Sequence, residues 1–125
     1  MLRDKFYELK TLKPVGDSDN EFEAVVRLNK DSEIFKGHFP DNPVAPGVCM
    51  VQILKELTSK ITKTKLTMQS ASNIKFMALI NPELTPDVKF TIHITQENDT
   101  IQVRNKCYLD EIIALKMGVK YSIVD

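Results

Sequence analysis

The sequence predicts an α+β fold in which one long helix packs against an antiparallel β-sheet. Apolar residues recur at helical spacing in a single segment, and they alternate with polar residues in segments before and after it. Turn-forming residues close most of the alternating segments, which is typical of antiparallel hairpins. Strands that follow one another around one helix indicate a sheet wrapped on that helix.

Two strands are predicted before the helix. Residues 6–15 are mixed in character, and we interpret them as a strand at the edge of a sheet. Residues 16–20 form a turn cluster of Gly, Asp, Ser and Asn. Residues 21–29 alternate as a half-buried strand does, and residues 31–46 are predicted to form a loop. The apolar side chains of the second strand are Phe22, Ala24, Val26 and Leu28.

The helical period runs from residue 48 to about residue 63 and gives the helix two faces. The stripe expected to face the core consists of Met50, Ile53, Leu54, Leu57 and Ile61. The stripe expected to face solvent consists of Gln52, Lys55, Glu56 and Ser59. We predict no other helix in the chain.

Four alternating segments follow the helix, at residues 70–80, 88–95, 101–109 and 112–124. Short turns are predicted between the last three segments, at Asn98-Asp99 and Asp110-Glu111. His93 lies on the polar side of its segment, so we expect it on the surface. In the first segment, the side chains expected on one face are Ile74, Phe76, Ala78 and Ile80.

Length and composition indicate one domain spanning residues 1–125. Of the 125 residues, 42% are hydrophobic and 27% are charged, which is typical of soluble proteins. The 17 basic and 17 acidic residues cancel, which argues against binding to nucleic acid or to a membrane surface. No apolar run suits a signal peptide or a membrane span, so we expect a cytoplasmic location. Cys49 and Cys107 are expected to be buried free thiols, and no metal-ligand spacing is present.

One stretch of the predicted loop has a pattern that indicates chemistry. It reads Gly37-His38-Phe39-Pro40, then Asn42-Pro43, then Pro46-Gly47. Because proline fixes its own φ and extends the preceding residue, His38 is held at a defined distance from the helix start. The first N–H groups of a helix are unpaired and lie at the positive end of its dipole, where a carbonyl or an anion binds. An imidazole beside such a site indicates acid–base catalysis next to a polarised carbonyl.

This stretch resembles the hotdog-fold (3R)-3-hydroxyacyl-acyl-carrier-protein dehydratases, which carry Gly-His-Phe-Pro, Asn-Pro and Pro-Gly at the same spacing. The resemblance implies a hotdog fold, with an antiparallel sheet wrapped around one long central helix. It implies that water is eliminated from a 3-hydroxyacyl thioester of acyl carrier protein or coenzyme A, without a cofactor, in fatty-acid or related acyl-chain biosynthesis. It also implies a homodimer or a larger homo-oligomer, because subunits of this family share each active site.

The resemblance assigns roles to four residues of the stretch and the helix start. His38 is expected to remove the proton next to the thioester. The backbone N–H groups of Gly47 and Val48 are expected to hold the thioester carbonyl, with Phe39 also binding the substrate.

Gln52 departs from the family pattern, because it stands where the family has its catalytic Glu or Asp. A carboxamide hydrogen-bonds a departing hydroxyl or an attacking water but cannot supply a proton. The alternative acids are Glu56, one turn further along the helix, and Asp41 in the loop.

Three functions therefore stay open. The chain is a dehydratase, a non-catalytic hotdog partner subunit that binds acyl chains, or an acyl-thioester hydrolase. The motif around His38 favours the dehydratase, and Gln52 favours the partner subunit. On a purely structural interpretation, His38 caps a turn and Gln52 lies on a solvated helix face. The residues expected to line an acyl tunnel or the core are Cys49, Val51 and Phe39.

Overall fold

The computed structural model describes residues 4–36 and 44–124. Within these ranges, six antiparallel strands form one sheet in the order β1-β2-β4-β5-β6-β3, accompanied by two helices. The predicted α+β class is confirmed. The strands are β1 (Tyr7–Pro14), β2 (Glu21–Leu28), β3 (Lys65–Phe76), β4 (Asp87–Glu97), β5 (Thr100–Leu109) and β6 (Ile112–Val124), and the helices are α1 (Glu33–Lys36) and α2 (Gly47–Thr62).

The two strands predicted before the long helix are both present, as the hairpin of β1 and β2. Gly16 lies in the turn between them with a φ of +58°, a conformation that costs glycine little. β2 then pairs with β4, with Ala24 opposite Phe90, although helix α2 and strand β3 separate them in the chain. The second strand is therefore held by a remote part of the sequence.

Helix α2 matches the predicted helix within one residue at each end. It begins at Gly47 because Pro46 is extended, with φ −62° and ψ 142°, and it ends before Lys63, which is left-handed with φ 57°. The predicted core stripe is buried except for Ile61, which is half-buried. Each buried aliphatic side chain of this stripe stabilises the fold by about 1.5–3 kcal/mol.

The prediction of a single helix is wrong, because α1 forms within the segment expected to be a loop. The Ser32 hydroxyl accepts a hydrogen bond from the Ile34 N–H at 3.3 Å and helps to start this single turn. Phe35 of α1 stacks on Phe6, with ring centroids 5.0 Å apart. One helical turn is too short to show a hydrophobic period, so the pattern did not indicate it.

The core lies between α2 and one face of the sheet. Alternate residues of β4 and β5, such as Phe90, Ile92 and Val103, are buried against the helix stripe. The expected free, buried thiols are confirmed at Cys49 and Cys107. Burial raises the pKa of both thiols, so neither is a ready nucleophile at neutral pH.

The two predicted tight turns connect β4 to β5 and β5 to β6. Asn98 and Asp110 each adopt a φ of 55°, the left-handed conformation that short hairpin turns require. The last strand, β6, spans the 112–124 range that the alternation predicts. Local pattern and turn chemistry therefore agree across this half of the sheet.

Strand β3 differs from its prediction in extent and in facing. It starts five residues earlier than expected and ends at Phe76. Its register against β6 shifts twice, between Met68 and Ser70 and between Ser72 and Lys75. The second shift places Asn73 at a φ of 55° and breaks the alternation expected from Ile74 onwards. Ile74 and Phe76 are consequently 42% and 47% exposed rather than buried together with Ile80.

Candidate active site

The start of α2 presents unpaired donors at a fixed place in the fold. The extended segment before it is tied down by a hydrogen bond of 2.8 Å from the Ala45 N–H to the Ile80 carbonyl. Pro46 makes no side-chain cap, and its carbonyl accepts from the N–H of Cys49. Among the described residues, the N–H groups of Gly47 and Val48 find no acceptor. These donors, at the positive end of a 16-residue helix, suit a carbonyl oxygen.

Phe76 covers this helix start from the end of β3. A Cβ atom added at Gly47 would lie 2.9 Å from Cζ of Phe76, so glycine is what lets the ring approach the backbone. Val48 is 77% exposed, and Leu79, which precedes the Ile80 that binds Ala45, is 69% exposed. The predicted donors therefore lie beside an accessible apolar surface, which is the environment a thioester with an acyl chain requires.

Gln52 is neither buried nor solvated, because its side chain is held by other side chains. Its Nε2 donates to Oε2 of Glu56 at 2.9 Å, and the hydroxyl of Tyr7 donates to Oε1 of the same carboxylate at 2.9 Å. A carboxylate only accepts hydrogen bonds, so the amide nitrogen of Gln52 is the atom turned towards Glu56. Among the described residues no donor binds the amide oxygen of Gln52, so it can accept a hydrogen bond from a hydroxyl or a water.

This arrangement makes Glu56 an acceptor, with both carboxylate oxygens engaged. The expectation that the polar stripe of the helix is solvated is wrong at Gln52 and Glu56, which are half-buried. Together with Tyr7 they line a pocket of about 540 Å³ between β1, α2 and the start of β3. Val48 lies one helical turn before Gln52, so the side chains of these two residues lie on the same side of α2.

The remaining predicted site residues are either outside the described residues or part of the core. His38, Phe39 and Asp41 lie outside the described residues. Of the expected tunnel residues, Cys49 is buried in the core and Val51 packs partly against it. Among residues 4–36 and 44–124, no cluster of three or more His, Cys, Asp or Glu side chains is placed to hold a metal ion.

The sequence did not predict the hydrogen bond from Tyr7 to Glu56 or the packing of Phe76 on the start of α2. Tyr7 is separated from Glu56 by 49 positions, and a tyrosine in a mixed edge segment gives no local sign of its partner. Phe76 was expected inside the sheet, and only the register shift in β3 brings its ring to Gly47. In the part of the chain that the structure describes, no helix is long and apolar enough to span a membrane.

Comparison of the sequence with known proteins identifies dehydratases. The family model of the ApeI-like proteins, described as ApeI dehydratase, matches residues 15–111. The 3-hydroxyacyl-[acyl-carrier-protein] dehydratase FabZ of Wolinella succinogenes is 22% identical over 120 residues, covering 86% of this chain and 80% of the relative. The FabZ of Lactococcus lactis subsp. cremoris strain MG1363 is 30% identical over 83 residues, covering 61% of this chain and 55% of the relative.

Comparison of the structure shows the hotdog fold. A chain of the dehydratase heterocomplex ApeI:P from Xenorhabdus doucetiae superposes with a TM-score of 0.68 and 19% identity, covering 88% of this chain and 98% of that one. A hypothetical thioesterase from Streptococcus pneumoniae, solved with coenzyme A, gives a TM-score of 0.67 at 8% identity, covering 94% and 85%. The neighbours in structure thus share a fold across different activities. The family match covers most of the chain, and we conclude that this protein belongs to the ApeI-like dehydratase family of the hotdog fold.

Proposed function

We propose that this protein eliminates water from (3R)-3-hydroxyacyl thioesters carried on acyl carrier protein or coenzyme A. The observation that carries the proposal is the uncapped start of α2, where the N–H groups of Gly47 and Val48 lie beside the exposed apolar surface around Phe76. The dehydratase names of the sequence relatives support the same reaction. Fatty-acid or related acyl-chain biosynthesis is the pathway class that this substrate implies.

In the proposed mechanism, His38 removes a proton from C2 of the acyl chain. The negative charge that develops on the thioester oxygen is stabilised by the N–H groups of Gly47 and Val48. The bond between C3 and the hydroxyl then breaks, and the double bond forms between C2 and C3.

The departing hydroxyl needs a proton, and Gln52 has none to give. We propose that the protonated His38 returns the C2 proton to the hydroxyl, which leaves as water. The amide oxygen of Gln52 accepts a hydrogen bond from the hydroxyl beforehand and so orients it, while Glu56 keeps the amide turned the right way. Glu56 is thus a positioning residue in this proposal and not the acid.

We also propose that the protein acts as a homodimer that joins through β3. Among the described strands it has a neighbour on one side only, and it is exposed over nearly all of its 12 residues. An unpaired edge of this length with apolar side chains at Met68 and Ile74 invites pairing with a second strand of the same kind. A non-catalytic subunit in a heteromeric dehydratase is the second candidate function, favoured by Gln52 and by the heterocomplex among the structural neighbours.

The test is an assay of purified protein with 3-hydroxyacyl and trans-2-enoyl thioesters, following both hydration and release of free thiol. Interconversion of the two thioesters supports the dehydratase. Thiol release would instead indicate an acyl-thioester hydrolase, and neither reaction would favour the non-catalytic subunit.

The His38→Ala variant is expected to lose dehydration while it keeps the fold, because a catalytic base contributes about 10²–10⁴-fold to turnover. Turnover on one 3-hydroxyacyl thioester and a thermal melt, both beside wild type, check this expectation. A variant that keeps most of its turnover would remove His38 from the mechanism. The matched control is His93→Ala, which alters the other histidine, on the opposite side of the sheet from α2.

A further inference from the structure

A pocket of about 540 Å³ continues from Gln52 along α2, towards the end of the helix. Its helical lining runs from Gln52 to Lys60, which is about 12 Å along the axis at about 1.5 Å per residue. Strand β1 and the first residues of β3 form its sides. The volume lies in the range of small-molecule sites, and the roles given to Gly47, Val48 and Gln52 do not account for it.

The walls of this pocket are largely aliphatic. Leu9 of β1, Leu57 of α2, Leu66 of β3 and Val124 of β6 line it. Leu57 and Leu66 are buried, Leu9 is half-buried, and Val124 is 42% exposed. Part of this aliphatic surface is thus open to a ligand, and covering it removes apolar area from water. Such a wall suits a flexible hydrocarbon chain.

Three cations border the same pocket. Lys55 lies in the middle of α2 and is half-buried, Lys60 lies in the last turn of the helix, and Lys65 is the first residue of β3. Among the described residues none of the three forms an ion pair. Lys60 complements the negative end of the helix dipole, but that role does not require Lys65, which lies outside the helix. The far end of the pocket therefore carries positive charge without an acidic partner in the described ranges.

The other polar groups of the pocket do not neutralise these lysines. Glu56 is the acidic residue of the described lining, and its two carboxylate oxygens accept hydrogen bonds from Gln52 and Tyr7. The Ser59 hydroxyl donates to the Thr64 carbonyl. The lysines are thus free to bind an anionic group of a ligand.

We propose that this pocket binds a medium-chain fatty acid, with the carboxylate between Lys60 and Lys65 and the chain running towards Gln52. An extended chain advances about 1.2 Å per bond, since three backbone bonds span about 3.3–3.6 Å, so a length of about 12 Å holds roughly ten carbons. The carboxylate supplies the acceptor that the lysines can bind, and their aliphatic stems extend the apolar wall. Hydrolysis of the acyl thioesters proposed as substrates yields acids of this class.

The proposal is tested by isothermal titration calorimetry of the full chain with sodium decanoate, whose chain matches the length of the pocket. Saturable binding is expected, and it should weaken as salt rises because the lysines at the far end are exposed. Butanoate has the same carboxylate on a chain too short to cover the wall, and decyltrimethylammonium has the same chain with a positive end. Each is expected to bind at least about tenfold more weakly than decanoate.

The double variant Lys60→Gln/Lys65→Gln is expected to bind decanoate about tenfold more weakly than wild type. The matched control is Lys13→Gln/Lys120→Gln, which removes the same charge at exposed lysines outside the pocket. It is expected to bind like wild type, and a thermal melt of both double variants checks that they fold.

Three results would overturn the proposal. They are the absence of saturable binding at millimolar decanoate, equal weakening in both double variants, and binding of butanoate or decyltrimethylammonium as tight as that of decanoate. No acyl thioester enters these titrations, so they decide the proposal even if the dehydratase assay shows no turnover.

The direction of the chain towards Gln52 rests on the proposed dehydratase function. A decanoate bound this way occupies the place of the acyl chain, so it should raise the apparent KM for a 3-hydroxyacyl thioester and leave kcat unchanged. The Lys60→Gln/Lys65→Gln variant should be less inhibited. Turnover that decanoate leaves unaffected, while decanoate binds through the lysines, would place the pocket outside the path of the acyl chain and overturn this direction.

Discussion

At the scale of single residues, Gln52 is the side chain on which the chemistry depends. The hydrogen bond from its Nε2 to Glu56 fixes which end of the amide meets a substrate. The residue therefore offers an acceptor where the family pattern has a carboxyl group. Tyr7 limits the rotation of the Gln52 amide indirectly. It donates a hydrogen bond to the Glu56 carboxylate, and that carboxylate accepts from the amide.

Gln52→Glu is expected to raise dehydration, by up to about 10²–10⁴-fold in turnover, because it adds a positioned acid. The introduced carboxyl group would lie against Glu56, at the 2.9 Å separation that the amide now occupies. Two carboxyl groups this close cannot both ionise readily, so one proton is shared between them. Turnover should fall as pH rises and that proton is lost, which a pH profile of turnover measures.

The control for this variant is Gln96→Glu, an exposed glutamine near the end of β4. It should leave turnover at the wild-type value. A Gln52→Glu variant with the same turnover and pH profile as wild type would contradict the assignment of this helix face to the site.

Glu56→Gln is expected to lower turnover by up to about a hundredfold. A glutamine at position 56 can donate as well as accept, so it no longer fixes which end of the Gln52 amide turns towards it. Substrate binding should change less than turnover. Tyr7→Phe serves as the control, since it removes the other hydrogen bond to Glu56 and leaves the contact with Gln52. Equal losses in both variants would reduce Glu56 to a structural link between β1 and α2, and measured kcat and KM for each variant distinguish these results.

At this scale, the sequence indicates the unusual position but not its partners. The spacing from Pro46-Gly47 identifies Gln52, because helix geometry and the family motif both act locally. Tyr7 and Glu56 are 49 positions apart, and no short-range pattern encodes their contact. His38, Phe39 and Asp41 stay predictions.

At the scale of elements, β6 lies between β5 and β3, and all three strands carry a lysine at the same level of the sheet. Lys116 has a lysine on each neighbouring strand, whereas Lys120 has Gln102 and Ser70 as its neighbours. The two lysines are exposed on the same strand and the same face. They therefore form a matched pair for measuring the repulsion.

Lys116→Glu is expected to stabilise the fold by about 0.2–1 kcal/mol, because it turns two repulsions into two attractions. Lys120→Glu should change the free energy of unfolding by less, having no charge directly opposite. Chemical denaturation of both variants and wild type gives the comparison. Equal changes in the two variants would show that the lysines opposite Lys116 do not strain the sheet.

The elements themselves were predictable where their patterns are uninterrupted. β6 and α2 have regular periods and clear ends, and they occur where the sequence predicts them. β3 was misjudged because its register shifts change which side chains share a face, and a shift leaves no compositional sign. The single turn of α1 falls below the length at which a helical period is visible.

At the scale of the whole molecule, the sheet has two edges, and they differ. β1 ends the sheet on one side with polar side chains over much of its length, and β3 ends it on the other with an exposed, partly apolar surface. Strand order of this kind was not predictable, because β2–β4 and β3–β6 pairings join segments far apart in the chain. The resemblance to hotdog dehydratases implied an antiparallel sheet wrapped around a helix, but the order of its strands was not predicted.

Met68→Glu combined with Ile74→Glu is expected to convert a dimer into a monomer, because charges on an edge strand repel a second copy. Sedimentation at micromolar concentration checks this, with wild type expected to be dimeric. The matched control is Leu84→Glu combined with Ile112→Glu, at positions 81% and 63% exposed and outside β3. Wild type that sediments only as a monomer would contradict both the dimer and a shared active site.

The position of β3 also has a consequence for synthesis on the ribosome. β3 is followed by β4, β5 and finally β6, yet β6 is the strand beside which it lies. A chain that emerges from its N-terminus therefore exposes β3 without its neighbour until β6 has been made. Contacts between such distant segments form slowly, and unpaired strands aggregate while they wait. The serines and lysines that keep most of β3 polar thus protect the nascent chain during the interval before β6 arrives.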